Sequence, residues 1–476
     1  MYTNLNLTKL SFILSKRNVI YFKFELSILC QSVCRFEHNI LEMNKLLLPI
    51  YSKFPPFSLR CRHSHYGPSE FQRSKMMNGI NIAAARTSGA QMASCTIMFQ
   101  AGSRYEVDDQ IGASHFIRAT SCASGCGYSG FLKMRFLTQH GSYLTCSSDR
   151  QTVAFTLRCP LSMFPELKYF LLDTAIRNCF HEWEVSDTKK IIRDSLSEIS
   201  PEQRVLDLIH RACFVGPLQN SVFCEEERID GMTGASVNSF VRRNFRSDGC
   251  SVASVGIPFE ETIKLAESLD PSRTTPSPRQ EVCSRFRGGC ESYDLGPGST
   301  TWIAVAVPGC GTMDLCCLLK HAIVAAACGT DNMAAGQHHL DRTPQSPLGL
   351  MAGCDFFREY RAFNISYKDT GLFGILAKAR SESAREVAFA AAEFLSNVGD
   401  LDFKQIDIGR KRLMVNMAIH DDDCVKVSEG LALQIANNHQ IDDARYSIDA
   451  ISKITPDDVK EVANMLSSKR KKNCHV

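Results

Sequence analysis

Apolar and polar positions along this chain fall into a series of patterns that occurs twice. The series opens with an apolar run ending in glycine, "ASCTIMFQAG" (93–102) in the first half and "TTWIAVAVPG" (300–309) in the second. A run of this length bounded by glycine reads as a buried strand, and a helix is expected after each. Next come two stretches that alternate, turn on a polar tip and alternate again: "SYLTCSSDRQTVAFTLRC" (142–159) and "RAFNISYKDTGLFGILAK" (361–378). Period-two alternation on both sides of a polar tip predicts a β-hairpin.

Helical spacing follows each hairpin. "PELKYFLLDTAIRNCF" (165–180) places Leu167, Phe170, Leu171 and Ala175 on one face behind an N-terminal proline. "SESAREVAFAAAEFLS" (381–396) takes the corresponding place. Each series closes on a threonine-capped helix, "MTGASVNSFVRRNF" (232–245) from Thr233 and "ITPDDVKEVANML" (454–466) from Thr455. The offsets agree, since 361 − 142 is 219 and 455 − 233 is 222. These patterns predict an α+β protein made of two tandem homologous domains, residues 77–268 and 290–476, each an antiparallel sheet with helices packed on one face. The Pro-, Ser-, Thr- and Arg-rich stretch 269–289 between them reads as a linker.

Composition narrows the class. The chain has 476 residues, 44% hydrophobic and 22% charged, enough for more than one core. Residues 1–69 carry nine bases against three acids, and no acid falls between Met43 and Ser69. Removing those from the totals of 54 and 51 leaves 45 bases against 48 acids, so the body is slightly acidic and a nucleic-acid partner is not expected. The basic, acid-poor extension 1–70 reads as a mitochondrial transit peptide, cleaved past Arg60 or Arg62 before a fold beginning near Met77, with Met43 as an alternative start. No apolar run reaches the roughly 20 residues of a membrane span. The 21 cysteines include no CxxC pair. Cys122 and Cys126 form only a C-x3-C, Cys316–Cys317 lie in an apolar run, and most are expected to be small buried hydrophobes.

Most candidate polar groups have an ordinary structural explanation. Asp149–Arg150 and Lys368–Asp369 are the hairpin tips, expected to be solvated, with Asn364 alongside. The adjacent His338 and His339 lie in a polar loop and face different ways. His181, Glu182 and Glu184 read as a helix junction with Trp183 buried. No phosphate-binding glycine loop or serine nucleophile elbow is present.

One stretch differs, "IGASHFIRAT" (111–120). A strand running into Gly-x-Ser-His and a helix resembles the zinc-site entry of the pitrilysin-type (inverzincin) metallopeptidases, whose signature is His-x-x-Glu-His. Two histidines four apart share a helix face and can hold Zn²⁺, with the glutamate between them as base for the metal-bound water. The resemblance sets His115 at the first ligand, Arg118 at the base, Ala119 at the second ligand and, in "IIRDSLSEI" (191–199), Ser195 near the third. One imidazole does not hold zinc. A guanidinium about 4 Å from the ion, at an effective dielectric of about 20, would add up to about 8 kcal/mol of repulsion. The expectation is a degenerate site with no catalytic residue, metal or cofactor, and His115 hydrogen-bonded at a helix start that Ser114 caps.

Over residues 77 to the end the chain resembles the non-catalytic branch of that family, the core protein 2 type of ubiquinol–cytochrome c reductase (respiratory complex III). The stretches carrying this are "FQAGSRYEVDDQIGASHFIRA" (99–119), "LTCSSDRQTVAFTLRC" (144–159), "EWEVSDTKKIIRDSLSEIS" (182–200) and "YRAFNISYKDTGLFG" (360–374). The resemblance implies a structural subunit without cofactor. It would pair with core protein 1 and other subunits of a dimeric complex, peripheral to the inner membrane on the matrix side. The alternative is the non-catalytic alpha subunit of the mitochondrial processing peptidase, which binds presequences through a glycine-rich loop. The comparable stretch here, 328–354, has scattered glycines and no run.

Overall fold

The structure is a computed structural model. It describes residues 70–86, 89–269, 283–296, 298–329, 346–353, 357–437 and 446–473, all within one compact unit, Tyr66–Val476. The expected transit peptide, most of the expected linker and the pair His338–His339 lie outside the described residues.

The first half is built on strands β1 (Glu70–Lys75), β2 (Asn81–Arg86), β3 (Met92–Phe99), β4 (Tyr143–Ser148) and β5 (Val153–Pro160), with β6 (Phe214–Val215) and β7 (Cys250–Val255) following. Its helices include α1 (Ala113–Ala119), α2 (Gly130–Gln139), α3 (Phe164–Ile176), α4 (Glu182–Glu198), α5 (Pro201–Cys213) and α6 (Gly234–Asn244). In the second half lie β8 (Arg285–Phe286), β9 (Thr301–Pro308), β10 (Glu359–Ser366) and β11 (Gly371–Ala379). There α7 (Leu315–Cys328), α8 (Ala384–Ser396), α9 (Cys424–Ala436) and α10 (Pro456–Asn473) matter most. Thr233 caps α6 through the Ser236 amide, and the Thr455 hydroxyl accepts from the Asp458 amide at the start of α10. Both caps satisfy amides that a first helical turn leaves unpaired.

The large sheet has the order β1-β2-β7-β3-β5-β4 and is mixed, because β2 and β7 run parallel. This corrects the wholly antiparallel expectation. β7 enters the sheet only after the long helical excursion through α3 to α6, and such a connection can return a strand in either direction. All six positions of its sequence of small residues and valine, CSVASV, are buried, so the strand is covered on both faces. The fold also starts earlier than expected, with β1 pairing β2 from Glu70. The second sheet, β10-β11-β9, is antiparallel. Within the large sheet β3, β5 and β4 have the same connection and order, with Phe99 opposite Val153 as Pro308 is opposite Leu372.

Helices on one face only were expected, yet both faces of both sheets are covered. One side of the large sheet packs on α3 and α6 through Phe99, Phe155, Leu167, Leu171 and Phe240. Its other side carries Ala83, Met98, Ala154 and Ala253, and these receive Leu431, Ala432 and Ile435 of α9 from the second half. In return α5 of the first half lays Ile209 and Cys213 against the second sheet, beside Tyr367 and Leu372. Polar strand positions that would otherwise face water close this seam. The Ser428 hydroxyl sits 2.8 Å from that of Ser94 and 2.9 Å from that of Thr96, and Thr156 donates to Glu429 at 2.8 Å.

The hairpin tips are not solvated turns. Arg150 is buried and paired with Asp207 on α5, while Asp369 takes a two-pronged bond from the buried Arg104 of the first half, both contacts 2.7 Å. Burial works upward on the Asp369 carboxyl, and the Arg104 hydrogen bonds and charge hold it below the usual carboxylate range. His210 on α5 and Tyr367 on the second hairpin are 2.8 Å apart, another bond joining the halves. Among the described residues no helix is long and apolar enough to cross a membrane. Cys95, Cys159, Cys213, Cys224, Cys250, Cys310 and Cys328 are buried, as small hydrophobes should be. Cys126 is exposed, with its sulfur 3.1 Å from that of Cys179.

Candidate functional site

Helix α1 is two turns long and follows the buried end of β3. Its start is set by Gly112, whose φ of +98° suits glycine and whose Cβ, if present, would lie 2.6 Å from the Cys224 sulfur. The cap is not Ser114. That residue lies inside the first turn, and Glu106 from the preceding loop takes the capping role. Its carboxylate accepts from the Gly112 amide at 2.8 Å and from the Ser114 amide and hydroxyl at 2.7 and 2.6 Å. Glu106 is buried, and burial pushes its carboxyl up to about 7 against the pull of those bonds.

The chain folds so that α1 crosses α4, bringing His115 and Ser195 together with the His115 Nε2 3.5 Å from the Ser195 Oγ. His115 is 4% exposed, and its Nδ1 accepts a hydrogen bond from the Cys224 amide at 3.1 Å. A neutral imidazole that accepts at Nδ1 carries its proton on Nε2. The nitrogen facing Ser195 is therefore a donor. The Ser195 hydroxyl donates in turn to the Ile192 carbonyl at 2.7 Å. Neither group can serve the other as a base, so the pair is not a nucleophile and its activator.

Arg118 turns toward β4. It donates to the Ser148 hydroxyl at 2.9 Å and its guanidinium lies 5.8 Å from the centre of the Phe223 ring. Burial lowers its pKa from the ordinary arginine value. Phe223 also meets His115 edge-on at 5.9 Å. Ala119, partly buried, packs on the core of the first half. A zinc ion does not fit these residues. The one imidazole presents an N–H rather than a lone pair, Ala119 offers no donor atom, Ser195 offers a hydroxyl already committed to its own helix, and Arg118 adds a cation beside them.

Other sequence candidates separate. Trp183 is 61% exposed, which corrects the expectation of a buried ring. It stacks at 6.2 Å on the His181 imidazole at the mouth of α4. Glu182 and Glu184 point apart, Glu182 to the Gly234 amide that opens α6 and Glu184 to the Ser124 amide, so the three do not form a chelating set. Glu106, Cys224 and Phe223 were not singled out by sequence, because nothing local marks an acid that caps α1 from six positions before its start or residues that meet His115 from over a hundred positions after.

Burial, with the Arg118 charge second, drives His115 down to about 3, and burial with the Arg150 charge drives His210 to the same value. The unfolded chain binds those protons near pH 6.5 and the folded one does not. The stability supplied by both neutral rings is therefore present above that pH and lost as pH falls toward 3. Glu106 acts oppositely between 4.5 and about 7, where the folded state holds the proton. Replacing His210 by Gln is expected to flatten the acid limb of a urea-unfolding profile by about one proton, roughly 1.4 kcal/mol per pH unit between pH 6 and 4. An unchanged slope in that variant would show that His210 titrates freely.

Comparison with known proteins places this geometry. Residues 81–226, which contain β2 to β6 and the whole His115 cluster, match the insulinase (peptidase family M16) model. The chain carries a peptidase M16 domain. Its relatives include cytochrome b-c1 complex subunit 2, mitochondrial, of Homo sapiens, 24% identical over 385 residues, covering 78% of this chain and 82% of that one. They also include probable mitochondrial-processing peptidase subunit alpha-2 of Arabidopsis thaliana, 25% identical over 373 residues, covering 77% and 72%. Mitochondrial-processing peptidase subunit alpha of Solanum tuberosum is 23% identical over 407 residues, covering 84% and 81%. All three are mitochondrial by name, and the name of the Arabidopsis protein adds the chloroplast.

Proposed function

We propose that this protein is a non-catalytic structural subunit of mitochondrial ubiquinol–cytochrome c reductase, of the core protein 2 type, needed for assembly and stability of that complex. The observation that carries the reading is the state of the His115 cluster. His115, Arg118, Ala119 and Ser195 stand at the positions that the peptidase resemblance gives to ligands and base. They are engaged in hydrogen bonds, ring contacts and packing that leave no metal-binding or nucleophilic group. Likeness to cytochrome b-c1 complex subunit 2 over most of both chains supports the particular assignment. On this reading the protein is imported by its basic leader, lies on the matrix side of the inner membrane and pairs with core protein 1 in a dimeric complex. The repeated order of β3-β5-β4 and β9-β11-β10 supports descent from a tandem duplication, with a first domain that begins at β1 and runs to 268 and a second over 290–476.

The second reading, a processing-peptidase alpha subunit, has relatives 25% and 26% identical in its favour, against 24% for those of the first. The stretch 328–354 argues against it, because its glycines at 329, 336, 349 and 353 are dispersed and include no run with which to clasp a presequence. Mild-detergent extraction followed by native electrophoresis separates the two. The protein is expected to migrate with complex III and carry core protein 1 with it. Recovery instead with a processing-peptidase beta subunit, in material that cleaves a synthetic presequence, would establish the alternative.

A further inference from the structure

The second half holds a cluster of soft ligands that the peptidase resemblance does not involve. Strand β9 ends at Pro308, and the following Gly309–Cys310–Gly311 is seated tightly on the β10–β11 hairpin. The Gly309 amide donates to the Gly371 carbonyl at 2.8 Å, and a Cβ on Gly311 would meet the Lys368 carbonyl at 2.9 Å. That seat leaves Cys310 buried against the start of α7. Asp314 caps this helix through the Cys317 amide at 3.1 Å. Cys317 and His321 are four apart and so share one face of α7.

We infer that Cys310, Cys317 and His321 form a binding site for a thiophilic d¹⁰ metal ion, Zn²⁺ or Cu⁺. One ligand atom from each of the three lies within 4.8 Å of the others. The Cys317 sulfur and the His321 Nδ1 are 3.6 Å apart. Around a tetrahedral zinc with Zn–S of about 2.3 Å and Zn–N of about 2.0–2.1 Å, sulfur and nitrogen ligands are separated by roughly 3.6 Å and two sulfurs by roughly 3.8 Å. One separation therefore already has the value that a bound ion imposes, and closing the rest requires a movement of about 1 Å. Both elements carrying the ligands are anchored, one by the hairpin and one by its cap.

The chemistry is selective. Two thiolates neutralise Zn²⁺, so the zinc site carries no net charge into a buried pocket where His321 is fully enclosed, whereas Cu⁺ on the same two thiolates leaves one negative charge and on one thiolate and one thiol leaves none. Two sulfurs and one imidazole suit a soft ion over magnesium or calcium, and the three-ligand set fits trigonal Cu⁺ or zinc with a fourth ligand. The Ser366 hydroxyl lies 3.8 Å from the Cys310 sulfur. His321 Nδ1 also lies 2.8 Å from the Cys317 carbonyl. An ion taken through Nδ1 displaces the proton of that bond, and an ion taken through the other nitrogen keeps the bond as an orienting contact. Burial, the largest cause, pushes the Cys310 thiol up to about 11, so capture releases protons and strengthens as pH rises.

The test uses the full-length protein, reduced and stripped with chelator, then given Zn²⁺ alone or Cu⁺ alone. One tight equivalent is expected. In the unaltered protein the ion should slow alkylation of Cys310 and Cys317 at least tenfold while leaving the exposed neighbour Cys316 unchanged, as read by peptide mass spectrometry. The H321Q and C317S variants should each weaken the ion at least tenfold, and C122S should not. The arm giving the tighter complex identifies the ion. Equal alkylation of Cys310 and Cys317 with and without either ion, or uptake that protects other cysteines instead, would overturn the site. Protection in the unaltered protein decides the matter even where a variant fails to fold.

Discussion

Replacing Lys133 by Ala is expected to lower the unfolding free energy by about 3–5 kcal/mol, the cost of leaving a buried charge without its counterion. The Lys133 side chain is fully buried on α2, and Nζ lies 3.3 Å from the Asp173 carboxylate and 3.3 Å from the Thr174 hydroxyl on α3. Asp173 is itself 2% exposed and also accepts from the Gly127 amide at 2.9 Å, which ties the loop before α2 to α3. With the ammonium removed, that carboxylate keeps one amide and no cation in a place where water does not reach. Chemical denaturation of the variant measures the loss. A double change to Met at 133 and Leu at 173 should recover part of it, since an apolar pair of similar volume removes both desolvation costs. A loss below about 1 kcal/mol for Lys133→Ala would mean that solvent enters the pair.

The second large effect is expected at Arg104. Changing it to Met keeps most of the stem volume and removes the bidentate bond to Asp369, at a cost of about 2–5 kcal/mol. The lower part of that range is favoured because the Asp369 side chain stays 24% exposed and regains some hydration. The location distinguishes this pair from an ordinary surface bridge. Arg104 belongs to the loop before α1 and Asp369 to the tip of the second hairpin, so the bond joins the two halves. Amide exchange at 366–372 should quicken in the variant more than exchange in the β3–β5 ladder. Added salt should change the effect little, since the arginine is buried. Uniform acceleration across both sheets would show that the pair stabilises the unit as a whole and does not hold that tip in particular.

What could be read in advance was whatever repeats locally. β3 and β9 announce themselves as glycine-bounded apolar runs, and both hairpins and the helices after them by period, because each places one apolar face against its own half. The exchange of α5 and α9 did not, since no periodicity in 424–436 names the sheet it covers. Ser94, Thr96 and Thr156 look like the wet side of a strand, and only the approach of Ser428 and Glu429 makes them dry. The hairpin tips misled for the same reason. A polar turn sequence is identical whether water or a guanidinium from the other half meets it.

The site divides along the same line. His115, Arg118 and Ala119 were visible through their spacing on one helix, and Ser195 by the resemblance to a ligand position. Glu106 sits in "YEVDD", a stretch indistinguishable from a solvated acidic loop, and its capping of α1 depends on a chain reversal that spacing does not encode. Trp183 went the other way. An aromatic ring beside a helix start suggests burial, but the preceding segment leaves it stacked on His181 facing outward.

The helix α9 that covers the large sheet is among the last elements to leave the ribosome. For about a third of synthesis, from the completion of β7 at Val255 until the lid at 424–436 is made some 170 residues later, the nascent chain carries a finished β-sheet whose Ala83–Met98–Ala253 side has nothing over it. Translation order thus holds an apolar surface open to chaperones for many seconds at ordinary elongation rates of about 5–20 residues per second. A stop codon anywhere before α9 leaves that surface bare for good.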